Sequence, residues 1–226
     1  MKTKLNLTLL ICILISANCF SQQVYYKING EKIKDVKNYE SFIISLAKKG
    51  KIEECKLKTV IKNDSVINFI KISNLITTAD GLDPWGETKK FIGKKFQIEN
   101  YIHINSKNFD KNYLQGKPTI VNFWFTRCPP CIEELPVLNE LKEKYGNEVN
   151  FISVTFDTEK AVNEFLKKHK FNFLHIVNSK KQIDKLKISA YPTSFILDNN
   201  GIIKIVLPEI SKYDLKDIDE TLSILK

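Results

Sequence analysis

The chain has 226 residues, of which 43% are hydrophobic, and this is enough to bury a full core with a small second unit beside it. It carries 35 lysine and arginine residues against 26 aspartate and glutamate residues, a formal charge of +9. These basic residues are scattered and accompany no nucleic-acid motif, so we expect no nucleic-acid partner. Five cysteines, two of them near the N-terminus, are too few for a disulfide-stapled scaffold.

Residues 1–21 have the pattern of a secretory signal peptide. A basic start at Lys2 and Lys4 precedes an apolar run over 5–15, which is short for a membrane span of about 20 residues. Small residues at the −3 and −1 positions then fit cleavage before Gln22. We therefore expect export to the periplasm or cell envelope of a bacterium. Two alternatives stay open, an uncleaved membrane anchor and a lipoprotein acylated at Cys19.

Residues 22–75 are predicted to form a small α+β unit. Alternating apolar residues predict strands at 24–28, 55–61 and 66–72, and helical spacing predicts a helix at 39–49. The unit contains no recognisable catalytic grouping, so we interpret it as a packing or docking extension.

The next segment, residues 76–90, is predicted to be a connector because it contains several turn-forming residues. Trp85 within it is expected to cover an apolar patch. Cys55, the cysteine left over after the leader and the pair described below, is interpreted as a small buried side chain. The alternative for Cys55 is a third redox partner.

Residues 91–226 show the alternating pattern of a longer α/β module. Buried or alternating apolar runs predict strands, and helical spacing predicts helices between them. This order predicts a central mixed sheet with helices on both faces. The predicted strands are 101–104, 119–125, 149–156, 173–177, 194–197 and 202–207, and the predicted helices are 128–146, 159–169, 180–186 and 213–225.

A Cys-x-x-Cys pair lies where the strand at 119–125 meets the following helix. At the helix start, free backbone N–H groups and the helix dipole stabilise a thiolate at Cys128, which we expect to face solvent. Cys131, one turn further on, can close a small disulfide ring with it. The pattern predicts dithiol–disulfide exchange. The chain has no second cysteine pair and no histidine at metal-ligand spacing, so we expect neither metal nor cofactor.

Several motifs follow residue 91 in a characteristic order: Asn122-Phe123-Trp124, Cys128-Pro129-Pro130-Cys131, Glu134, Pro136 and Tyr191-Pro192-Thr193. With them, residues 91–226 resemble the TlpA/ResA-like thioredoxin-fold family of exported thiol–disulfide oxidoreductases. The resemblance implies an α/β thioredoxin fold, here preceded by the small α+β unit. It also implies oxidised exported proteins as substrates and a membrane-bound thiol donor for re-reduction. Cytochrome c maturation is one process that it allows.

The resemblance implies roles for single residues. Cys128 is the attacking thiol and Cys131 the resolving thiol. Asn122 takes the position at which cytosolic thioredoxins bury an acid, and Glu134 is the candidate substitute that relays a proton to Cys131. The alternative for Glu134 is a solvated helical side chain. Pro136 is expected to kink the helix.

The same resemblance predicts a substrate groove. Pro192 resembles the cis-proline that faces the dithiol, which would let the Tyr191 backbone pair with an extended substrate. Trp124, Tyr191 and Thr193 are expected to contact the substrate, and for the two aromatic residues the alternative is a place in the core. Arg127 stands where these relatives usually carry an aromatic residue, so we expect a different substrate preference.

The two prolines between the cysteines bear on the direction of electron flow. Pro130 removes an amide that could bond the thiolate, whereas the neighbouring Arg127 favours the thiolate. We weigh the missing amide more heavily and predict a reductant or mild exchanger. One alternative is a docking module with an inert disulfide. A thiol peroxidase is the other, but it needs a threonine three residues before the attacking cysteine, where Phe125 stands.

Overall fold

The computed structural model describes residues 22–29, 33–74, 77, 79, 81–101, 109–110 and 112–226. The predicted signal peptide, and the strand predicted at 101–104 apart from Tyr101, lie outside these residues. Over the part of the chain that is described, no helix has the length and apolar character needed to cross a bilayer.

The N-terminal unit is a mixed sheet with one helix. Its strands β1 (Gln23–Ile28), β2 (Ile33–Asp35), β3 (Ile52–Lys62) and β4 (Ser65–Asn74) lie in the order β2-β1-β4-β3, and α1 (Val36–Ala47) follows β2. β1 runs parallel to β4, and the other pairs are antiparallel. The predicted α+β character is confirmed. β2 escaped prediction because three residues are too few to show a period of two.

The second sheet contains β5 (Thr119–Trp124), β6 (Asn150–Thr155), β7 (Leu174–Ile176), β8 (Thr193–Leu197) and β9 (Ile203–Leu207). Their order is β7-β6-β5-β8-β9, so β5 lies at the centre, and all of its residues are buried. β5, β6 and β7 are parallel, whereas β8 and β9 are antiparallel to their neighbours. The predicted mixed sheet is confirmed.

Apolar clusters cover both faces of this second sheet. Ile120 and Trp124 of β5 belong to one cluster, while Val121 and Phe123 belong to the other, because alternate strand residues point to opposite faces. Helices contribute to each cluster, as expected for a sheet between two helical layers. The helices are α2 (Gly86–Lys89), α3 (Pro129–Glu133), α4 (Leu135–Tyr145), α5 (Glu159–Leu166), α6 (Lys180–Lys185) and α7 (Leu215–Leu225).

The helix predicted at 128–146 is interrupted near Pro136, where a kink was expected, and the interruption divides it into two helices. α3 ends at Glu133, α4 begins at Leu135, and Glu134 lies between them. Pro136 explains the break, since it has no N–H and its ring clashes with the carbonyl four residues earlier. Proline is instead well tolerated in the first turn of α4.

The N-terminal unit packs against the second sheet through β3 and β4. Leu57 of β3 is only 3% exposed and belongs to the cluster that also contains Ile210 and Leu222. Lys71 of β4 pairs with Asp217 of α7 at 2.9 Å. In the predicted connector, Lys89 pairs with Glu53 of β3 at 2.6 Å. The unit therefore shares part of its core with the module that follows.

Leu57→Ala should lower the free energy of unfolding by about 2–5 kcal/mol, because it leaves a cavity in a shared core. Ile61→Ala, in the same strand, should change it by no more than about 0.5 kcal/mol, since Ile61 is 67% exposed. Urea unfolding of the two variants beside the wild type measures both values. Equal losses would contradict the shared core.

Candidate active site

Cys128 and Cys131 form a disulfide at the junction of β5 and α3, with their Cα atoms 5.2 Å apart. Cys128 is the N-cap of α3, and its Sγ accepts a hydrogen bond from the Cys131 amide at 3.3 Å. The Cys128 amide in turn donates to the Phe125 carbonyl at 3.2 Å. Pro129 follows at the first helical position, where a missing N–H is harmless. The local sequence thus builds a rigid turn around the sulfur pair.

Contrary to expectation, Cys128 does not face solvent in this oxidised state. It is 2% exposed and belongs to the buried cluster that also contains Cys131. The half-buried Phe125 and Tyr191 pack against that cluster. Little of Cys128 is therefore open to an attacking thiol in this conformation.

Glu134 is buried beside the cysteine helix and makes two hydrogen bonds through its carboxylate. Its Oε1 accepts from Asn122 Nδ2 at 2.7 Å, and its Oε2 accepts from the Ile210 amide at 2.9 Å. Asn122 also donates to Ser194 Oγ at 3.1 Å. The alternative of a solvated side chain is wrong, because Glu134 is only 1% exposed.

Burial raises the pKa of the Glu134 carboxyl from its ordinary 4.5 to about 7. The hydrogen bonds from Ile210 and Asn122 oppose this shift, since they favour the ionised form, and the nearby Glu209 adds to it. A carboxyl with this pKa exchanges protons readily near neutrality, as a general acid or base must.

Three half-buried aromatic residues form what we call the aromatic rim: Phe125, Phe156 and Tyr191. The ring centroid of Phe125 lies 5.5 Å from that of Phe156 and 5.4 Å from that of Tyr191. The Tyr191–Pro192 peptide bond is cis, as the resemblance implied, and Pro192 is buried. Phe125 and Phe156 were not predicted as site residues. They directly follow β5 and β6, and the shared edge at which parallel strands end was the available signal.

Two predicted substrate contacts, Trp124 and Thr193, lie in the interior, and for Trp124 this is the alternative of a place in the core. Trp124 is 1% exposed and packs in the core against Phe165 and Phe171, at centroid distances of 4.9 and 5.2 Å. Thr193 is buried at the start of β8, where its Oγ1 accepts from Trp85 Nε1 at 2.9 Å. Neither side chain reaches a surface, because both belong to strands covered on both faces.

A family model matches residues 92–206, half of the chain, and is described as the AhpC/TSA family. The chain belongs to the AhpC/TSA family. Its cysteine pair, its buried carboxyl and the cis-proline all lie within this matched region.

Relatives of this AhpC/TSA member are named for thiol chemistry. The thiol-disulfide oxidoreductase ResA of a Bacillus cereus strain is 33% identical over 132 residues, 57% of this chain and 76% of the relative. The thioredoxin-like protein YneN of Bacillus subtilis is 29% identical over 125 residues, 52% and 74% of the two chains. The AhpC/TSA member described here is therefore a thiol–disulfide oxidoreductase, and the TlpA/ResA-like resemblance is confirmed.

A solved structure of similar fold is described as a putative thiol:disulfide interchange protein DsbE from Chlorobium tepidum. It has a TM-score of 0.51 and 19% sequence identity, and the match covers 60% of this chain and 96% of that one. At this identity the likeness concerns the fold alone. It confirms the thioredoxin fold for the part of this AhpC/TSA member that follows the N-terminal unit.

Cys55 lies apart from the motif residues of this AhpC/TSA member, on β3 of the N-terminal sheet. It is half-buried and carries a free thiol. Burial raises the pKa of that thiol, with a further contribution from Glu53. A raised pKa disfavours the reactive thiolate, so these facts support a packing role.

Glu134→Gln should change how stability depends on pH. A carboxyl with a higher pKa in the folded state binds more protons when folded, so the free energy of unfolding falls as pH rises from 4.5 to about 7. The shift corresponds to about 3 kcal/mol, which the glutamine variant should not lose over this range. Denaturant unfolding between pH 4 and 8 measures the difference.

Glutamine should be tolerated at position 134, because Asn122 Oδ1 has no partner. If the Asn122 side-chain amide turns over, this oxygen can accept a hydrogen bond from the glutamine amide. Glu133→Gln, at the exposed neighbouring position, is the matched control and should follow the wild-type pH dependence. Parallel pH curves for wild type and Glu134→Gln would contradict the raised pKa.

Proposed function

We propose that this protein is an exported reductant or mild exchanger that reduces disulfides in other exported proteins through Cys128 and Cys131. The observation that carries this proposal is the Cys128–Cys131 disulfide at the start of α3. The membership of the thiol–disulfide oxidoreductases supports the general chemistry. The signal-like residues 1–21 support export.

The reaction proceeds in two exchanges that move two electrons to the substrate. The Cys128 thiolate attacks one sulfur of a substrate disulfide, an enzyme–substrate disulfide forms, and the second substrate sulfur leaves as a thiolate. Cys131 then attacks Cys128 Sγ, which closes the enzyme disulfide and releases the substrate as a dithiol. A membrane-bound dithiol donor reduces the enzyme again and is itself oxidised to a disulfide.

The donors around Cys128 support the proposed direction of electron flow. Pro129 and Pro130 have no N–H, and the Cys131 amide donates to Cys128 Sγ at 3.3 Å. Because few donors surround Cys128, its thiolate is only weakly stabilised. A protein whose reduced form is weakly stabilised is a poor oxidant. This supports a reductant or mild exchanger rather than a strong oxidant.

Glu134 serves as the proton acceptor for the resolving thiol in this proposal. It follows Cys131 by three residues, is buried, and has a pKa of about 7. Asn122 holds the carboxyl without adding a second acid. Because the Glu134 carboxylate is shielded from bulk water, it can accept the Cys131 proton at a place that solvent does not reach.

Substrate contact falls to the residues that remain at or near the surface. Phe125 and Tyr191 of the aromatic rim pack against the cysteine cluster, the buried Pro192 directly follows Tyr191, and Arg127 is exposed next to Cys128. Residues 22–75 serve as a packing extension in this proposal, and the division of the chain at residues 75 and 90 stays a prediction.

Insulin reduction tests the enzyme against the docking alternative. Wild type should reduce insulin in the presence of a dithiol, and Cys128→Ser should lose the activity because it has no attacking sulfur. Turnover is followed by precipitation of the insulin B chain. Equal rates for wild type and Cys128→Ser would support the docking module instead.

Cys131→Ser should accumulate substrates as stable disulfides to Cys128, because nothing resolves them. Trapped species from a bacterial envelope are identified by non-reducing gels and mass spectrometry. Oxidised apocytochromes among them would place the protein in cytochrome c maturation. Failure to trap any protein, with a Cys128 thiol shown to be intact, would contradict the proposed substrate class.

Glu134→Gln should remove a step in the pH profile of the exchange rate. In the wild type the rate should rise as Glu134 loses its proton around pH 7, since only the carboxylate accepts a proton from Cys131. The variant should be about 10-fold slower or more above that pH. Stopped-flow kinetics from pH 5.5 to 8.5, with Glu133→Gln as control, measure both profiles. An unchanged profile would remove Glu134 from the mechanism.

A further inference from the structure

Arg127 is the one arginine in the sequence. Of its 35 basic residues, all the others are lysines, and they are scattered along the whole sequence. The exception directly precedes the attacking cysteine. A lysine there would supply the same charge, so what arginine adds at this position is the geometry of its guanidinium group.

Arginine differs from lysine in geometry. Its planar guanidinium presents N–H donors in a fork that matches the two oxygens of a carboxylate, whereas lysine acts as a point charge. Paired hydrogen bonds of this kind fix orientation as well as strengthen the contact. A group of this shape beside a nucleophile is suited to holding a carboxylate in a defined place.

Arg127 has no such partner within the part of the protein that the structure describes. Its side chain is exposed, and none of the described acidic residues lies within ion-pair distance of it. The acid that contacts its loop, Asp157, is directed elsewhere, because its Oδ2 accepts from the Thr126 amide at 2.6 Å. That hydrogen bond anchors the loop and leaves the guanidinium available to a ligand.

The position of Arg127 ties this ligand to the substrate. A segment whose sulfur bonds to Cys128 must pass over the residue adjacent to it, so its neighbouring side chains fall within reach of the guanidinium. The apolar surface nearby belongs to the aromatic rim, which offers no charge to an acidic side chain. The charged groups near Tyr191 of the rim, Asp184 and Lys180, are paired with each other at 2.6 Å, so Arg127 is the cation next to Cys128 that is available to a substrate carboxylate.

We propose that Arg127 selects disulfide substrates that carry an aspartate or glutamate within two residues of the attacked cysteine, by pairing with that carboxylate. This proposal rests on the proposed function and names the substrate class for the same site. Because the pair is exposed, its contribution is modest and falls with added salt.

Single-turnover kinetics with designed peptides test this selection. Peptides with one internal disulfide differ only at the residue after the attacked cysteine, which is glutamate, glutamine or lysine. Oxidation of the pre-reduced enzyme is followed by mass spectrometry, so no external reductant is needed. Wild type should react with the glutamate peptide about threefold to fivefold faster than with the glutamine peptide. The ratio should fall towards one as sodium chloride is raised from about 0.05 to about 0.5 M.

Two variants separate recognition from a general effect on the thiol. Arg127→Gln should abolish the preference, and Arg127→Lys should keep only part of it. Lys160→Gln, an exposed lysine on α5, is the matched control and should behave as wild type. If Arg127→Gln slows all three peptides by the same factor and keeps their ratios, Arg127 only activates Cys128 and the proposal is overturned.

The same experiment distinguishes this proposal from the proposed function. A wild type that reduces all three peptides at equal rates overturns substrate selection but leaves the reductase activity intact. A wild type with an intact Cys128 thiol that reduces none of them overturns the proposed function.

Discussion

The buried carboxyl of Glu134 joins three separate parts of the fold. One oxygen binds Asn122 on β5, which in turn binds Ser194 on β8, and the other oxygen binds the Ile210 amide after β9. Removing an acid from water is unfavourable unless hydrogen bonds replace the lost solvation. Those hydrogen bonds require the strands and the segment after β9 to hold their present positions. The site is thus a product of the whole second sheet and not of the cysteine turn alone.

Two sequence choices make this arrangement tolerable. Pro136 stops α3 from running into α4, and the resulting junction brings the Glu134 side chain inwards. Asn122 supplies a donor where an acid would place two carboxylates together, and like charges at that distance strongly raise one pKa. With neutral hydrogen-bond donors that oppose the effects of burial and of Glu209, the pKa of Glu134 lies near 7, in the range where proton transfer is useful.

Most of the fold was predictable because periodicity reports one-sided burial well. The alternating burial along β4 shows this, whereas β6 and β8 are buried on both faces and were recognisable as continuous apolar runs. The interior positions of Trp124 and Thr193 have a physical reason. β5 is buried on both faces, so its run of apolar residues cannot distinguish a core tryptophan from one lining a groove. Trp124 was accordingly misplaced, and Phe125 one residue later was overlooked.

The other limits arise from distance along the chain. Glu134 looks like an ordinary helical acid until Ile210, 76 residues further on, is seen to bind it. Cys128 was expected at the surface because helix starts are usually exposed, and its burial depends on aromatic residues that lie far apart in sequence. Short elements such as β2 and α2 leave no periodic trace at all. The cysteine spacing predicted dithiol–disulfide exchange, but it could not predict that Cys128 is buried.

The position of Leu57 has a consequence for how such proteins are built. Its side chain belongs to the cluster that contains Ile210, the residue whose amide holds the active-site acid. A thioredoxin module without this preceding sheet would need side chains of its own in the place of Leu57, or it would hold its buried acid less firmly. The N-terminal sheet therefore contributes to the same apolar cluster as the segment that holds the active-site acid.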